Sequence, residues 1–208
     1  MNEWYCCLLC EGSSDAALTN VLELLLTRLT SEPASVSARL DLKGSVQDKL
    51  VALQKYDAGL YDLVFVHRDA DNAGLQARQD EIKRAVDSVQ DAAITPVVPV
   101  VPVMMTETWA LASLFGDPDC RAWLRREESI SEKKLETCRD PKDLLRRLLS
   151  RDDPDGRLLP NGVFSVQRAR ILAELDTADG SALCRLTAWT ALNKALVDAV
   201  ARARPWLS

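Results

Sequence analysis

The stretch Trp4-Tyr5-Cys6-Cys7-Leu8-Leu9-Cys10-Glu11-Gly12-Ser13-Ser14-Asp15 decides the fold. From Trp4 to Cys10 the run is apolar without a break, and it stops at Glu11-Gly12. An uninterrupted apolar run bounded by charge and glycine is the mark of a strand buried on both faces, as in a parallel sheet. Ser13, Ser14 and Asp15 then offer oxygens to cap a helix. Leu18, Val21, Leu22, Leu25, Leu26 and Leu29 follow at helical spacing, which predicts a helix over 15–30.

The same alternation continues outward. Val36, Ala38, Leu40 and Leu42 alternate with polar residues, a second strand at about 35–42. Ser45 caps a short helix carrying Val46, Leu50 and Leu53. Leu63-Val64-Phe65-Val66 is a third strand, ending in His67-Arg68-Asp69-Ala70-Asp71-Asn72. A helix at about 74–90 presents Leu75, Ile82, Val86 and Val89 on one face. Val97 to Val103 is a fourth strand. Pro96, Pro99 and Pro102 each remove a ladder donor there, so it belongs at an edge or is irregular. Only helices follow, at about 107–115, 119–127, 141–150, 166–176 and 181–203. Asp140-Pro141 marks a helix start, and the Pro- and Gly-bearing segment 151–163 reads as a loop. The order β-α-β-α-β-α-β predicts an α/β fold: a mostly parallel four-stranded sheet flanked by helices, then an all-helical region. Residues 1–116 would form the α/β part, and 117–208 a helical region packed on it as one unit.

The chain has 208 residues, and 47% of them are apolar and 27% charged, the balance of a folded protein rather than a disordered one. A domain of this size buries enough surface to fold without disulfide or metal staples. The single histidine excludes a His-rich zinc site, and the six cysteines include only one C-x-x-C, Cys7 and Cys10. No basic n-region or cleavage site surrounds the first apolar run, and no run is long enough to span a bilayer, so a cytoplasmic chain with buried, reduced thiols is expected. The net charge of −5 argues against coating nucleic acid through a global field, but not against a local basic groove.

Ligands of parallel sheets bind beyond the carboxyl ends of the strands. Glu11 ends the first strand and Asp15 follows one turn later. Asp69 and Asp71 end the third strand, and Glu107 follows the fourth. Such carboxylates at one sheet edge need a counter-charge, and Mg²⁺ or Mn²⁺ is the usual one for all-oxygen sites. His67 and Asp69 share a side of the strand, with Arg68 on the other. His67, Arg68 and Lys142 are phosphate-binding candidates, Lys142 because it lies in the first turn of a helix. Each motif also has a plainer reading. Glu11-Gly12 serves as a strand-to-helix turn, Asp69-Ala70-Asp71-Asn72 as a capped turn, Glu107 as a helix start, and the mixed charges of 119–151 as a solvated face. A receiver- or flavodoxin-like regulator is disfavoured, because Met104-Met105-Thr106 stands where the receiver's strand-end lysine belongs.

Glu11-Gly12-Ser13-Ser14-Asp15 with a later Asp69-Ala70-Asp71 resembles the topoisomerase–primase (Toprim) fold signature. With Glu107-Thr108-Trp109-Ala110-Leu111-Ala112 added, the chain is similar to small stand-alone bacterial Toprim-like proteins related to the overcoming-lysogenisation-defect nucleases. The resemblance implies a Toprim-like sheet and divalent-metal-dependent phosphodiester cleavage. Glu11 would be a metal ligand or general acid/base, Asp69 and Asp71 metal ligands, and Asp15 and Glu107 further members of the cluster. It implies DNA or RNA as substrate, with Mg²⁺ or Mn²⁺. The alternative it carries is a non-catalytic subunit of a bacterial defence (phage defence) or toxin–antitoxin type complex, beside a protein partner such as an ATPase subunit. No tyrosine is positioned as a topoisomerase nucleophile, and no primase zinc domain or Walker phosphate loop is present.

Overall fold

The computed structural model describes residues 3–89 and 95–205. Four strands, β1 (Trp4–Leu9), β2 (Ala34–Ala38), β3 (Leu63–His67) and β4 (Val97–Val100), form one sheet in the order β2-β1-β3-β4. Every pairing is parallel, with Cys6 opposite Leu63 and Val36, and His67 opposite Val100. The chain is thus an α/β protein with a four-stranded parallel sheet, and its β1 is central and buried as the apolar run demands. Helices α1 (Leu18–Thr30), α2 (Val46–Asp57), α3 (Leu75–Ser88) and α4 (Glu107–Leu114) alternate with or follow the strands. The remaining helices are α5 (Pro118–Arg126), α6 (Pro141–Leu149), α7 (Asn161–Ala173) and α8 (Thr187–Ala203).

Alternation along each strand sorts the core into two layers. Cys6, Leu8, Leu63 and Phe65 pack with α1 and the helices of the second half, including Trp109, Leu145 and Trp189. Cys7, Leu9, Val64 and Val66 pack with Val46, Leu50 and Leu53 of α2 and Ile82 and Ala85 of α3. The first layer runs unbroken from the sheet into α8, where the Trp109 and Trp189 rings meet edge to face at 5.1 Å. Among the described residues no helix is long and apolar enough to cross a membrane.

Several boundaries differ from the sequence expectation, each for a local reason. Segment 13–15 is a separate 3₁₀ turn, so Asp15 precedes α1 rather than opening it. Strand β2 stops at Ala38 because Arg39 turns to pair with Asp41 and Asp57. The fourth strand ends at Val100, and β4 is an edge strand, as its prolines require. Helix α7 begins at Asn161, five residues before the expected start: Pro160 lends its carbonyl to the Phe164 N–H, and Gly162 is tolerated in the exposed first turn. Helix α8 starts only at Thr187, after a 3₁₀ turn at 183–185 and an extended Leu186. The expected end of the third helix, residue 90, lies outside the described residues.

Candidate functional site

Strand alternation also divides the acidic residues at the carboxyl edge. Glu11 falls in register with Cys7 and Leu9, on the α2/α3 side. There it pairs with Arg68, which also reaches Glu81 of α3 at 3.3 Å. His67 falls in register with Leu63 and Phe65, on the opposite side. Its Nδ1 lies 3.9 Å from Asp15 and its Nε2 3.4 Å from Asp69. The five expected acids therefore share one edge but not one cluster.

The inner group is held by an arginine that the sequence reading did not single out. Arg168 of α7 is buried, with its Nε 2.8 Å from Glu107 Oε1 and its Nη2 2.9 Å from Asp15 Oδ1. Its Nη1 donates to the Ser14 carbonyl at 2.8 Å, and its Nη2 also donates to the Thr106 hydroxyl. Burial works to lower the Arg168 pKa, but Glu107 and Asp15 outweigh it and hold the group above its ordinary value. Thr106 ties the strand ends together: its hydroxyl donates to Asp15 at 3.2 Å and its N–H to Asp69 at 3.2 Å. A signal for Arg168 was present in the sequence. It interrupts the apolar stripe Phe164, Leu172, Leu175, all of them buried, and an arginine inside such a stripe needs buried partners.

A cleft of about 370 Å³ opens over this group. Asp15, Asp69, Glu107, Lys142 and Arg168 line it, with Phe164 on its apolar side. Three helices begin at it, since Glu107, Lys142 and Asn161 sit in the first turns of α4, α6 and α7. Their N-terminal dipoles offset part of the carboxylate charge. Glu11, Asp71, His67 and Arg68 are not among the lining residues. Asp71 has a left-handed backbone, φ 44°, and its N–H bonds the carbonyl of Met104, itself at φ 64°. Two non-glycine residues in that region, joined by one hydrogen bond, fix the β3 and β4 exits against each other.

Set against protein-family models, curated proteins and solved structures, the chain matches none. The site therefore stands on its geometry. Its donors suit a hard divalent cation in kind, because the cleft offers carboxylate oxygens and no thiol or imidazole. Their spacing is another matter. Among the described residues no three His, Cys, Asp or Glu side chains are grouped closely enough to hold a metal ion. The guanidinium of Arg168 lies between Asp15 and Glu107 and takes an oxygen from each.

Proposed function

We propose that this cleft binds and cleaves a phosphodiester with the aid of Mg²⁺ or Mn²⁺, with DNA or RNA as the substrate class. The reading rests on one observation: acids following three different strands, Asp15, Asp69 and Glu107, line a single cleft together with Lys142 and Arg168. Carboxylates beside cations and helix N-termini are the equipment of phosphoryl chemistry. Asp15, Asp69 and Glu107 are the carboxylates nearest to such a cation's place, and to hold it they would have to draw closer together than they stand around Arg168. When bound, a cation of this kind lowers the pKa of a water and stabilises the leaving oxygen. Lys142, exposed at the mouth, neutralises the phosphate. The Asp69 carboxylate has no lysine or arginine partner among the described residues, Arg78 reaching only its backbone carbonyl, and it is the carboxylate placed to take a proton from water.

The test is incubation with single- and double-stranded DNA and RNA in Mg²⁺ or Mn²⁺, beside Asp69→Ala and Lys142→Ala. Asp69→Ala is expected to lower cleavage by about 100-fold or more. Cleavage that both substitutions leave intact would remove the cleft from the reaction. A second reading, a non-catalytic subunit of a defence or toxin–antitoxin type complex, is favoured by a different observation. Glu11, Glu81, Asp15 and Glu107 already have their charges met by Arg68 and Arg168. Absence of both cleavage and cation binding supports that reading.

A further inference from the structure

The mixed charges of 119–151 do not all pair with one another. Arg147 meets Glu128 and Asp143, and Arg146 donates to the Leu159 carbonyl. Arg121 and Arg125, one turn apart on α5, meet no carboxylate among the described residues. The Arg121 Nη1 donates to the Phe115 carbonyl at 3.3 Å, and the Arg125 guanidinium lies 5.5 Å over the Phe115 ring. Like charges at this spacing weaken a helix. Both arginines line a cavity of about 420 Å³, and Arg185 lines it too. Arg185 pairs with Glu132 at 2.6 Å and donates to the Gly180 carbonyl. Among the described lining residues Glu132 is the one carboxylate, so the other two guanidiniums have no counter-charge. Asp176 approaches Gly116, but its Oδ1 accepts the Ala178 N–H, and no ion pair joins it to the three arginines among the described residues.

We infer that this cavity is a separate anion site, which takes a phosphate group on the Arg121 and Arg125 guanidiniums. The α5 dipole accounts for Arg125, which stands in the last turn, but not for Arg121 or for the arrival of Arg185. A guanidinium presents a planar fork of N–H donors that matches two oxygens of a phosphate. Arg121 is half-buried with one nitrogen fixed on a backbone carbonyl, and Arg125 rests on an aromatic face. Both are therefore partly ordered before a ligand arrives, which lowers the entropy lost on binding. The site does not depend on cleavage in the first cleft. The two lie at opposite ends of α4: Glu107 in its first turn lines the cleft, while Phe115 and Gly116, just past its last residue, line the cavity. Two sources carry the ligand chemistry, the phosphate of a free nucleotide and the backbone of a polynucleotide.

Binding of inorganic phosphate, adenosine monophosphate and a single-stranded oligonucleotide is measured by calorimetry, with the arginine Nε–H resonances followed in each titration. The Arg121 and Arg125 resonances are expected to shift with phosphate. Arg121→Gln/Arg125→Gln is expected to weaken binding about ten-fold or more. Glu132→Gln, which removes the lining carboxylate and frees Arg185, is expected to tighten it about three-fold. Circular dichroism checks that the double variant is folded; should it fail to fold, Glu132→Gln decides, because a misfolded protein does not bind more tightly. Salt separates the two sources. For a polynucleotide, replacing both arginines should flatten the slope of log affinity against log salt by about 1.4, from about 0.7 per single-strand contact. Equal affinity for the mononucleotide and the oligonucleotide identifies the free phosphate as the source. No shift at Arg121 and Arg125 with any of the three probes, or an affinity that neither set of substitutions changes, overturns the inference. The two proposals fail separately. Cleavage in the first cleft without a phosphate response here removes this site and leaves the function, and the opposite pair of results removes the function alone.

Discussion

At the residue scale, one step along a strand separates two environments. His67 points into the layer of Trp109 and Arg168, while Arg68 points into the layer of α3 and meets Glu11 and Glu81. The thiols of β1 show what the same burial does to an ionisable group. Burial pushes Cys6 and Cys7 up from 9.0 to about 12, because a thiolate between packed layers loses its water. In the unfolded chain these thiols ionise near their ordinary value, while in the folded chain they keep their protons. Above that value the folded state therefore binds more protons, and stability falls as pH rises. Below pH 9.0 the two thiols add no slope; between 9.0 and about 12 each contributes a loss of about 1.4 kcal/mol per pH unit. Urea unfolding at pH 8 and pH 10 checks this, with Cys6→Ala/Cys7→Ala expected to flatten the decline relative to the wild type.

At the element scale, most of the layout was legible because the strands and their layers follow a period of two. The run ending at Glu11-Gly12, the prolines of β4, the Ser45 cap and the Asp140-Pro141 start all lie where their chemistry puts them. Side-chain pairing was not legible. The sequence shows that Glu11, Asp15, Asp69, Asp71 and Glu107 reach one edge, but Arg168 lies 61 residues beyond Glu107 and its partners depend on how α7 docks. The early start of α7 was hidden too, since Pro160 and Gly162 carry the composition of a loop. A further pairing of this kind guards the sheet. Strand β2 is an edge, and its Val36 N–H is accepted by Glu23 of α1 at 2.8 Å instead of standing open to another strand. Glu23→Ala should lower stability by about 1–2 kcal/mol and speed exchange of the Val36 amide selectively. Hydrogen exchange followed by residue reads both, and an unchanged Val36 rate would show that water serves that amide equally well.

At the scale of the whole molecule, the site exists only because the two halves of the chain share a core. Asp15 and Asp69 come from the segments that follow β1 and β3, Lys142 and Arg168 from the helices of the second half, and Glu107 from the helix that joins them. What fixes their spacing is the layer below, where Trp109 of α4 meets Trp189 of α8 and both are almost wholly buried. Arg204, just beyond α8, adds a clamp at the opposite edge: its guanidinium lies 3.9 Å over the Trp4 ring and pairs with Glu32 and Asp62. A sheet tied to its helices at both ends should unfold with them, not before them. Fluorescence and far-ultraviolet circular dichroism are therefore expected to report one coincident urea transition. Trp189→Ala removes a ring that no neighbour can replace and should cost about 3–5 kcal/mol. Because α4 then loses its support, the variant should also loosen the Glu107–Arg168 pair. A Trp189→Ala protein that melts in two separate steps would show the sheet holding its own fold, and the cleft would then be an interface between independent units rather than a product of one core.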